Sequence, residues 1–287
     1  MNQISPLVAV LMPCKDVKAS FFREAINSVF SQSDSVWNLI VVFDLSKDME
    51  TMDILRELSN SKDNRVLVLK NESKFITGAL NTGMRYSKTP YVCSLLCDDL
   101  LDKKAIEVLN RYINEHHNVD FFHSSRMYID ENGNSISGVQ MAVESFSLSD
   151  FKDRGPVKHL LCWKVESALA IGGMDESLGL HGADDYDFPW CMAETGYSFK
   201  AIPECLYYYR DHREHYRLTT HVPLETQINE LKKIWKKHGF TDEEIEEQIK
   251  RRTSRYLKQA LYLDEEDKKK KESENYDIRK GWREKHR

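Results

Sequence analysis

The first hundred residues alternate between short apolar runs and stretches with the periodicity of an amphipathic helix. The apolar runs are Leu7 to Met12, Trp37 to Phe43, Arg65 to Lys70 and Tyr91 to Leu96. The helical stretches are Ser20 to Gln32, with Ser20 as its N-cap, Met49 to Leu58, and Gly78 to Tyr86. Strands that are apolar throughout are buried on both faces, and their alternation with helices is typical of parallel sheets. The sequence therefore predicts the α/β class, with a mostly parallel central sheet flanked by helices.

The middle of the chain is less regular but continues the mixture of helices and strands. A helix is predicted from Lys103, a strand over Val119 to Ser125, and a hairpin turn at Glu131 to Asn134. The acidic cluster Asp184 to Asp187 opens another helix, and a strand follows over Phe199 to Tyr209. We expect these elements to extend the same sheet.

Composition excludes several classes of protein. The 287 residues are 41% hydrophobic and 30% charged, which is typical of an ordinary globular protein. The net charge of -5 gives no global electrostatic reason to bind nucleic acid. Six cysteines are scattered without a zinc-type spacing, no segment approaches the length of a membrane span, and the first apolar run is too short for a secretory signal. We therefore expect a cytoplasmic protein with reduced thiols.

From residue 226 onward, basic residues outnumber acidic ones. Apolar residues recur at helical spacing, and Thr241 begins a capping-box pattern, so a C-terminal helical extension is predicted over 226–287. Lysines lie on both sides of Trp235. Two interpretations stay open. The basic helix face rests on an anionic membrane, or the helix is solvated and packs Trp235 on the body or on a second copy in a homodimer.

Polar residues follow several of the predicted strands, at the sheet edge where such folds bind ligands. They are Cys14-Lys15-Asp16, Asp44 and Asp98-Asp99. No glycine-rich phosphate loop follows any strand. If a nucleotide binds at this edge, carboxylates and a divalent metal have to hold its phosphates.

Seven segments, in this order, resemble the family 2 glycosyltransferases of the GT-A fold: VAVLMPCKD, a helix ending in SVFSQ, IVVFDLSKD, GALNTGM, LLCDDLL, GGMDESLGLHGADDYDF and IPECLYYYRDH. The resemblance covers about residues 5 to 215. It implies a Rossmann-like GT-A domain with a nucleotide-sugar-binding half at 1–102 and an acceptor-binding, catalytic half at 103–225. It also implies an inverting enzyme that moves a sugar from a UDP- or dTDP-linked donor to an acceptor hydroxyl, as in bacterial polysaccharide or glycoconjugate synthesis.

The resemblance also implies roles for individual residues. Asp98 and Asp99 correspond to the acidic motif that holds Mn or Mg, with His212 completing the metal shell. Leu96 replaces the usual first acid, so the separate roles of the two aspartates stay open. The resemblance places Asp44 beside the nucleotide base, although an N-cap for the next helix is the alternative. The remaining donor contacts that it implies are Pro13, Cys14, Asp16, Lys74, Asn81 and Asp98.

By the same resemblance, Asp185 is the general base that takes the proton of the acceptor hydroxyl. Neighbouring carboxylates are expected to raise the pKa of at least one member of the cluster. The cluster is also explained by a helix N-terminus, where acidic residues interact favourably with the helix dipole. This structural role is compatible with a catalytic one. Arg210, His215 and Arg217 are rival partners for phosphate, and Trp163 belongs either to the core or to an acceptor cleft.

Two other functions stay open. A nucleotidyltransferase-like enzyme shares the sheet and the acidic pair, but its first loop needs glycines that PCKDVKASFF lacks. A catalytically silent nucleotide-sugar-binding protein is the second alternative, because Leu96 and Phe43 replace acids. The expected partners are the donor and a sugar, lipid-linked or small-molecule acceptor. The sequence does not identify the donor sugar, the acceptor, the linkage, the pathway or the oligomeric state.

Overall fold

The structure is a computed structural model that describes residues 5–46, 48–153, 155–178, 183–211 and 224–251. The chain divides into two compact units, Met1–Asp211 and His212–Arg287. The predicted halves 1–102 and 103–225 and the extension 226–287 stay predictions, although one sheet spans both halves of the first unit.

An eight-stranded sheet with the order β3-β2-β1-β4-β7-β6-β8-β5 forms the centre of the first unit. Its strands are β1 Val8–Cys14, β2 Asn38–Phe43, β3 Val66–Lys70, β4 Tyr91–Ser94, β5 Leu100–Leu101, β6 Phe121–Ile129, β7 Leu161–Lys164 and β8 Phe199–Arg210. The first four strands are parallel, as are β6 and β8. Only β7 and β5 pair antiparallel with their neighbours. The predicted α/β class with a mostly parallel sheet is confirmed.

Helices connect these strands. In the first unit they are α1 Ala19–Phe30, α2 Met49–Ser59, α3 Phe75–Tyr86, α4 Ala105–Glu115, α5 Leu148–Asp153, α6 Val165–Ala170 and α7 Asp184–Glu194. Residues on α1, α2 and α4 pack with β1, β2 and β4 into one apolar cluster. On the α3 side, a Cβ at Gly83 would lie 2.9 Å from Leu11 Cδ2. The absence of a side chain at Gly83 therefore permits the close approach of α3 to the sheet, as the sequence predicts.

Several boundaries differ from the sequence-based predictions. Lys18, not Ser20, is the N-cap of α1, and its side chain makes no capping bond. β4 ends at Ser94 rather than Leu96, because the chain turns there toward the acidic pair. β6 continues to Ile129, since it pairs with β8 along nearly its whole length. The hairpin turn is confirmed by bridges joining Ile129 to Ser135 and Arg126 to Gln140.

β7, α5 and α6 were not predicted, because each is only four to six residues long. Periodicity gives a weak signal over so few positions. Trp163 on β7 is fully buried, stacks on Phe121 and donates from Nε1 to the sulfur of Met84. Trp163 is therefore a core residue and not a sugar platform.

The second unit contains α8 Leu224–Lys237 and a helix α9 over 242–251. The capping box predicted at Thr241 is confirmed, because Thr241 N donates to Glu244 Oε2 and Glu244 N donates to Thr241 Oγ1. Trp235 is buried and stacks on Phe240, while Lys233 pairs with Glu230. No helix among the described residues is long and apolar enough to cross a bilayer. Membrane contact and homodimerisation stay predictions.

Candidate active site

Asp44 follows the carboxyl end of β2 and is half-buried. Its backbone N–H donates to Cys14 O (3.0 Å), which joins the loops after β1 and β2. The N-cap of α2 is Asp48, whose carboxylate accepts from Thr51 N at 3.0 Å. The alternative role of Asp44 as a helix cap is therefore wrong. The carboxylate of Asp44 has no hydrogen-bond or ion-pair partner among the described residues.

The loop after β1 brings its predicted residues to the same edge. Pro13 and Cys14 are buried at the end of the strand, whereas Asp16 is exposed. Asp16 adopts a φ of 43°, in the left-handed region that aspartate tolerates better than most residues. Its Oδ1 accepts from Ser46 Oγ at 3.0 Å, which ties the loop to the one that contains Asp44.

The two aspartates after β4 differ in their environments. Asp98 is half-buried, whereas Asp99 is only 1% exposed. Asp99 accepts from the Tyr207 hydroxyl at Oδ2 and from Arg210 N at Oδ1, both at 2.6 Å. Burial and the charge of Asp98 raise the pKa of Asp99 well above its usual value, against the effect of these two hydrogen bonds. Both oxygens of Asp99 therefore already have protein donors.

Arg210 fastens the turn that contains Asp98. Its side chain is fully buried, and its Nε donates to Asp98 O at 2.8 Å. Its Nη1 donates to the carbonyls of Asp130 and Glu131, and its Nη2 pairs with Glu24 at 2.5 Å. The guanidinium is thus committed to the fold, and the prediction that Arg210 pairs with phosphate is not supported by its geometry.

Asn81 and Lys74 lie at opposite extremes of exposure. Lys74 is exposed at the N-cap of α3, where its carbonyl accepts from Gly78 N, and its ammonium group has no hydrogen-bond or ion-pair partner among the described residues. Asn81 is 5% exposed and exchanges hydrogen bonds with both N and O of Met174. Its Nδ2 also donates to Glu176 Oε1 at 2.9 Å. A Cβ at Gly173, where φ is +79°, would lie 2.6 Å from Asn81 Oδ1, so only glycine fits.

Asn81→Ala is expected to lower the free energy of unfolding by about 2–3 kcal/mol, because it leaves buried polar groups of the turn at Met174 without partners. Asn60→Ala is the control, since Asn60 is an exposed C-cap that uses only its backbone. Urea unfolding of both variants measures the difference. Equal midpoints for the two variants would contradict a structural role for Asn81.

The acidic cluster forms the first turn of α7, as predicted. Desolvation and the charges of Asp185 and Asp187 raise the pKa of Asp184 to about 7. Asp185 reaches solvent, yet its carboxylate lies among enough protein atoms for desolvation to raise its pKa also. The positive charge of Arg126 opposes this rise and favours the ionised form. The pair therefore titrates as one coupled system above the ordinary aspartate range.

A face of four long side chains lies on β6 and β8. Arg126 pairs in register with Tyr207, and Tyr128 pairs with Tyr209. The ring of His159 packs against Tyr207 and Tyr209 at 5.3 and 6.1 Å. Because Tyr207 donates to Asp99 and Arg126 acts electrostatically on Asp185, this face connects the two acidic sites.

Residues 9–162 match the model of the family described as "Glycosyl transferase family 2". This match covers more than half of the chain. The chain belongs to glycosyltransferase family 2. The matched region includes residues 9–102 of the predicted nucleotide-sugar-binding half, 1–102.

Similar proteins agree with this family. An uncharacterized glycosyltransferase of Methanocaldococcus jannaschii is 28% identical over 211 residues, which are 71% of each chain. The O-antigen biosynthesis protein RfbC of Myxococcus xanthus is also 28% identical over 211 residues, 72% of this chain but only 16% of RfbC. The crystal structure of S. aureus TarS 1-349 with UDP-GlcNAc superposes with a TM-score of 0.63 at 17% identity, covering 84% of this chain and 70% of that one. The expected GT-A fold is confirmed.

The glycosyltransferase offers oxygen ligands where the sequence predicts a metal. Mg²⁺ and Mn²⁺ prefer oxygen ligands and are commonly held by one or two carboxylates together with substrate phosphates. Asp98, half-buried at the sheet edge, fits this pattern. Asp99 fits it less directly, because protein donors already contact both of its oxygens. The third predicted ligand, His212, lies outside the described residues, as do His215 and Arg217.

Three residues that border the candidate site were not predicted from the sequence: Arg126, Tyr207 and His159. Their neighbours in the sequence form no pattern that singles them out. Only the pairing of β6 with β8 places Arg126 next to Tyr207. The single signal available was the aromatic run before Arg210, which the sequence analysis treated as strand.

Proposed function

We propose that this glycosyltransferase moves a sugar from a UDP- or dTDP-linked donor to an acceptor hydroxyl, with a divalent metal and with inversion at the anomeric carbon. The observation that carries the proposal is the connected pair of acidic sites. Asp98 follows the parallel strands where such folds bind nucleotides, and Asp185 lies at the start of α7. The face of β6 and β8 that carries Arg126, Tyr128, Tyr207 and Tyr209 links them, because Tyr207 donates to Asp99 and the charge of Arg126 acts on Asp185.

The donor side is proposed at the ends of β1, β2 and β4. Asp44, whose carboxylate has no partner among the described residues, accepts a hydrogen bond from the imide N–H of a uracil or thymine base. Asp98 holds the metal, and Asp99 orients Asp98 through its bonds to Tyr207 and Arg210. When bound, Mg²⁺ or Mn²⁺ neutralises the charge that develops on the diphosphate as the sugar leaves. Exposed Lys74 is a further partner for that charge.

The acceptor side is proposed at Asp185. An inverting transfer needs a base on the opposite side of the anomeric carbon from the leaving diphosphate. Asp185 removes the proton from the acceptor hydroxyl as the oxygen attacks the sugar. The raised pKa of the Asp184 and Asp185 pair makes Asp185 a stronger base than an ordinary aspartate.

The pH dependence follows from that pair. Only the ionised form of Asp185 accepts the proton, so kcat rises as pH rises through the coupled titration. We expect the acid limb of kcat to lie above the ordinary aspartate range, because desolvation raises the pKa of both carboxyl groups and that of Asp184 reaches about 7. Initial rates at saturating donor and metal, measured from about pH 3, below the ordinary aspartate pKa, to about pH 9, test this. An acid limb near pH 4 would contradict the proposed environment of Asp185.

A donor panel tests the function as a whole. UDP- and dTDP-linked hexoses are incubated with the protein in Mn²⁺, in Mg²⁺ or in EDTA, and release of the nucleoside diphosphate is measured. Metal-dependent release from at least one donor is expected. Tight binding of a donor without release, in every metal, would instead indicate a silent nucleotide-sugar-binding protein.

The names of similar proteins support a proposal for the donor and for the biosynthetic process in which the enzyme acts. RfbC is named for O-antigen biosynthesis, and TarS was solved with UDP-GlcNAc. These names support a UDP-linked donor and a role in bacterial polysaccharide or glycoconjugate synthesis, with a sugar, a lipid-linked sugar or a small molecule as acceptor. We place the enzyme in the cytoplasm, with contact to the inner face of the membrane or dimerisation through α8 as the two options for the tail.

A further inference from the structure

Arg126 differs from all other arginines that the structure describes. Each of the others forms an ion pair with a carboxylate: Arg23, Arg56, Arg65, Arg85, Arg111, Arg210 and Arg251. Among the described residues, Arg126 has no carboxylate within ion-pair distance. Arg126 is also half-buried as a residue, and a charged group that is partly removed from water needs polar partners.

The guanidinium of Arg126 is nevertheless held in place. Its Nε donates to Gln140 Oε1 at 3.3 Å, and its Nη2 donates to the Tyr128 hydroxyl at 3.0 Å. It lies 5.3 Å from the ring centroid of Tyr128 and 5.5 Å from that of Tyr209. These contacts use two of the five N–H groups of the fork. The remaining donors, on Nη1 and Nη2, have no acceptor among the described residues.

This fixed cation lies near the proposed acceptor side. Arg126 pairs in register with Tyr207, whose ring centroid lies 5.3 Å from that of His159. Desolvation raises the pKa of the Asp185 carboxyl and lowers that of His159, and the charge of Arg126 opposes the first shift and adds to the second. Its strand neighbour Tyr207 reaches Asp99. A molecule with a hydroxyl at Asp185 would therefore pass close to the unused donors of Arg126.

We propose that Arg126 binds an anionic group of the acceptor, a phosphate or a carboxylate, in a subsite beside Asp185. The assignment to the acceptor rests on the proposed function. The planar fork of arginine matches the oxygens of both anions, and charge-assisted hydrogen bonds to them are among the stronger polar contacts in proteins. The aromatic rings of Tyr128 and Tyr209 add surfaces on which a sugar ring packs. The subsite therefore favours an acidic acceptor over a neutral one.

Binding is tested first without donor or metal, so that this arm is independent of turnover. Wild type, Arg126→Gln and Arg111→Gln are titrated by calorimetry with inorganic phosphate and with acetate, in EDTA at constant ionic strength. Arg111 is the matched control, because its guanidinium already pairs with Glu204. We expect at least one anion to bind wild type and Arg111→Gln with equal affinity. Its affinity for Arg126→Gln is expected to be lower by about tenfold or more. Equal affinities in all three proteins, or no binding to any of them, would overturn the subsite.

A second arm uses minimal acceptors with donor and metal present. Glycerol 3-phosphate and glucuronate are compared with glycerol and glucose. In Arg126→Gln, we expect the KM of an acidic acceptor to rise about tenfold more than the KM of a neutral acceptor. An equal loss with both kinds of acceptor, with the acid limb of kcat moved upward, would assign Arg126 to support of Asp185 instead.

Arg126→Lys is a second variant that controls for a folding defect, because it keeps the positive charge but removes the planar guanidinium. Intermediate anion affinity with an unchanged melting temperature supports the proposal, whereas wild-type affinity in Arg126→Lys contradicts a role for the fork. Anion binding that depends on Arg126, in a protein that turns over no donor, would keep the subsite and reject the transferase chemistry.

Discussion

Asp185→Asn is expected to lower kcat by about 10³-fold, while the KM of the donor and the melting temperature change little. Removal of a positioned general base costs about 10²–10⁴-fold in rate, and the amide that replaces it cannot take a proton. Asp185 is exposed in the first turn of α7, so the neutral side chain fits without disturbing the core. Initial rates of nucleoside diphosphate release at saturating donor and acceptor measure the loss.

Glu194→Gln, an equivalent change at the exposed last residue of α7, is the control and is expected to keep wild-type activity. Donor binding by both variants is compared by the rise in melting temperature on addition of donor and metal. An Asp185→Asn variant with more than a tenth of wild-type kcat would contradict the role of Asp185 as base and would favour Asp184, its coupled neighbour.

The sheet and its ligand-binding edge were predictable because their signals are local. Four apolar runs of six or seven residues specify the parallel strands, and polar groups follow three of these runs. The acidic first turn of α7 was predictable for the same reason, since Asp184 to Asp187 are adjacent in the sequence. In each case, one short segment contains both the structural and the chemical signal.

Residues whose role depends on pairing between distant segments were not predictable. Asp99 looks equivalent to Asp98 in the sequence, and only β8, more than a hundred residues away, supplies the two donors that bury it. Asn81 was predicted beside the donor, yet its side chain holds the turn at Met174 through bonds across 93 residues. Arg126 lies in no motif, and only the packed structure shows that no carboxylate among the described residues is within ion-pair distance of it.

Asp98 and Asp99 differ in burial and partners, so we expect their alanine variants to lose different properties. Asp98→Ala is expected to lower metal-dependent kcat/KM by about 10³-fold, because a metal at the diphosphate supplies several kcal/mol of charge stabilisation. Asp99→Ala is expected to lower the free energy of unfolding by about 2–4 kcal/mol, because the buried Tyr207 hydroxyl and Arg210 N–H lose their acceptor. Its metal-dependent activity falls as well, since the turn that carries Asp98 loosens.

The two variants are separated by comparing metal activation curves with urea unfolding in EDTA. Asp98→Ala is expected to need far more Mn²⁺ for half-maximal activity and to lose less stability than Asp99→Ala. Tyr207→Phe is the matched variant for the second effect, since it removes one donor to Asp99 and the acceptor of Leu96 N but leaves both carboxylates in place. Asp99 would instead be a direct metal ligand if Asp99→Ala kept wild-type stability and lost metal activation as fully as Asp98→Ala. A lower stability of Tyr207→Phe with near-normal metal activation would place the main role of Asp99 in the fold, as its two buried hydrogen bonds indicate.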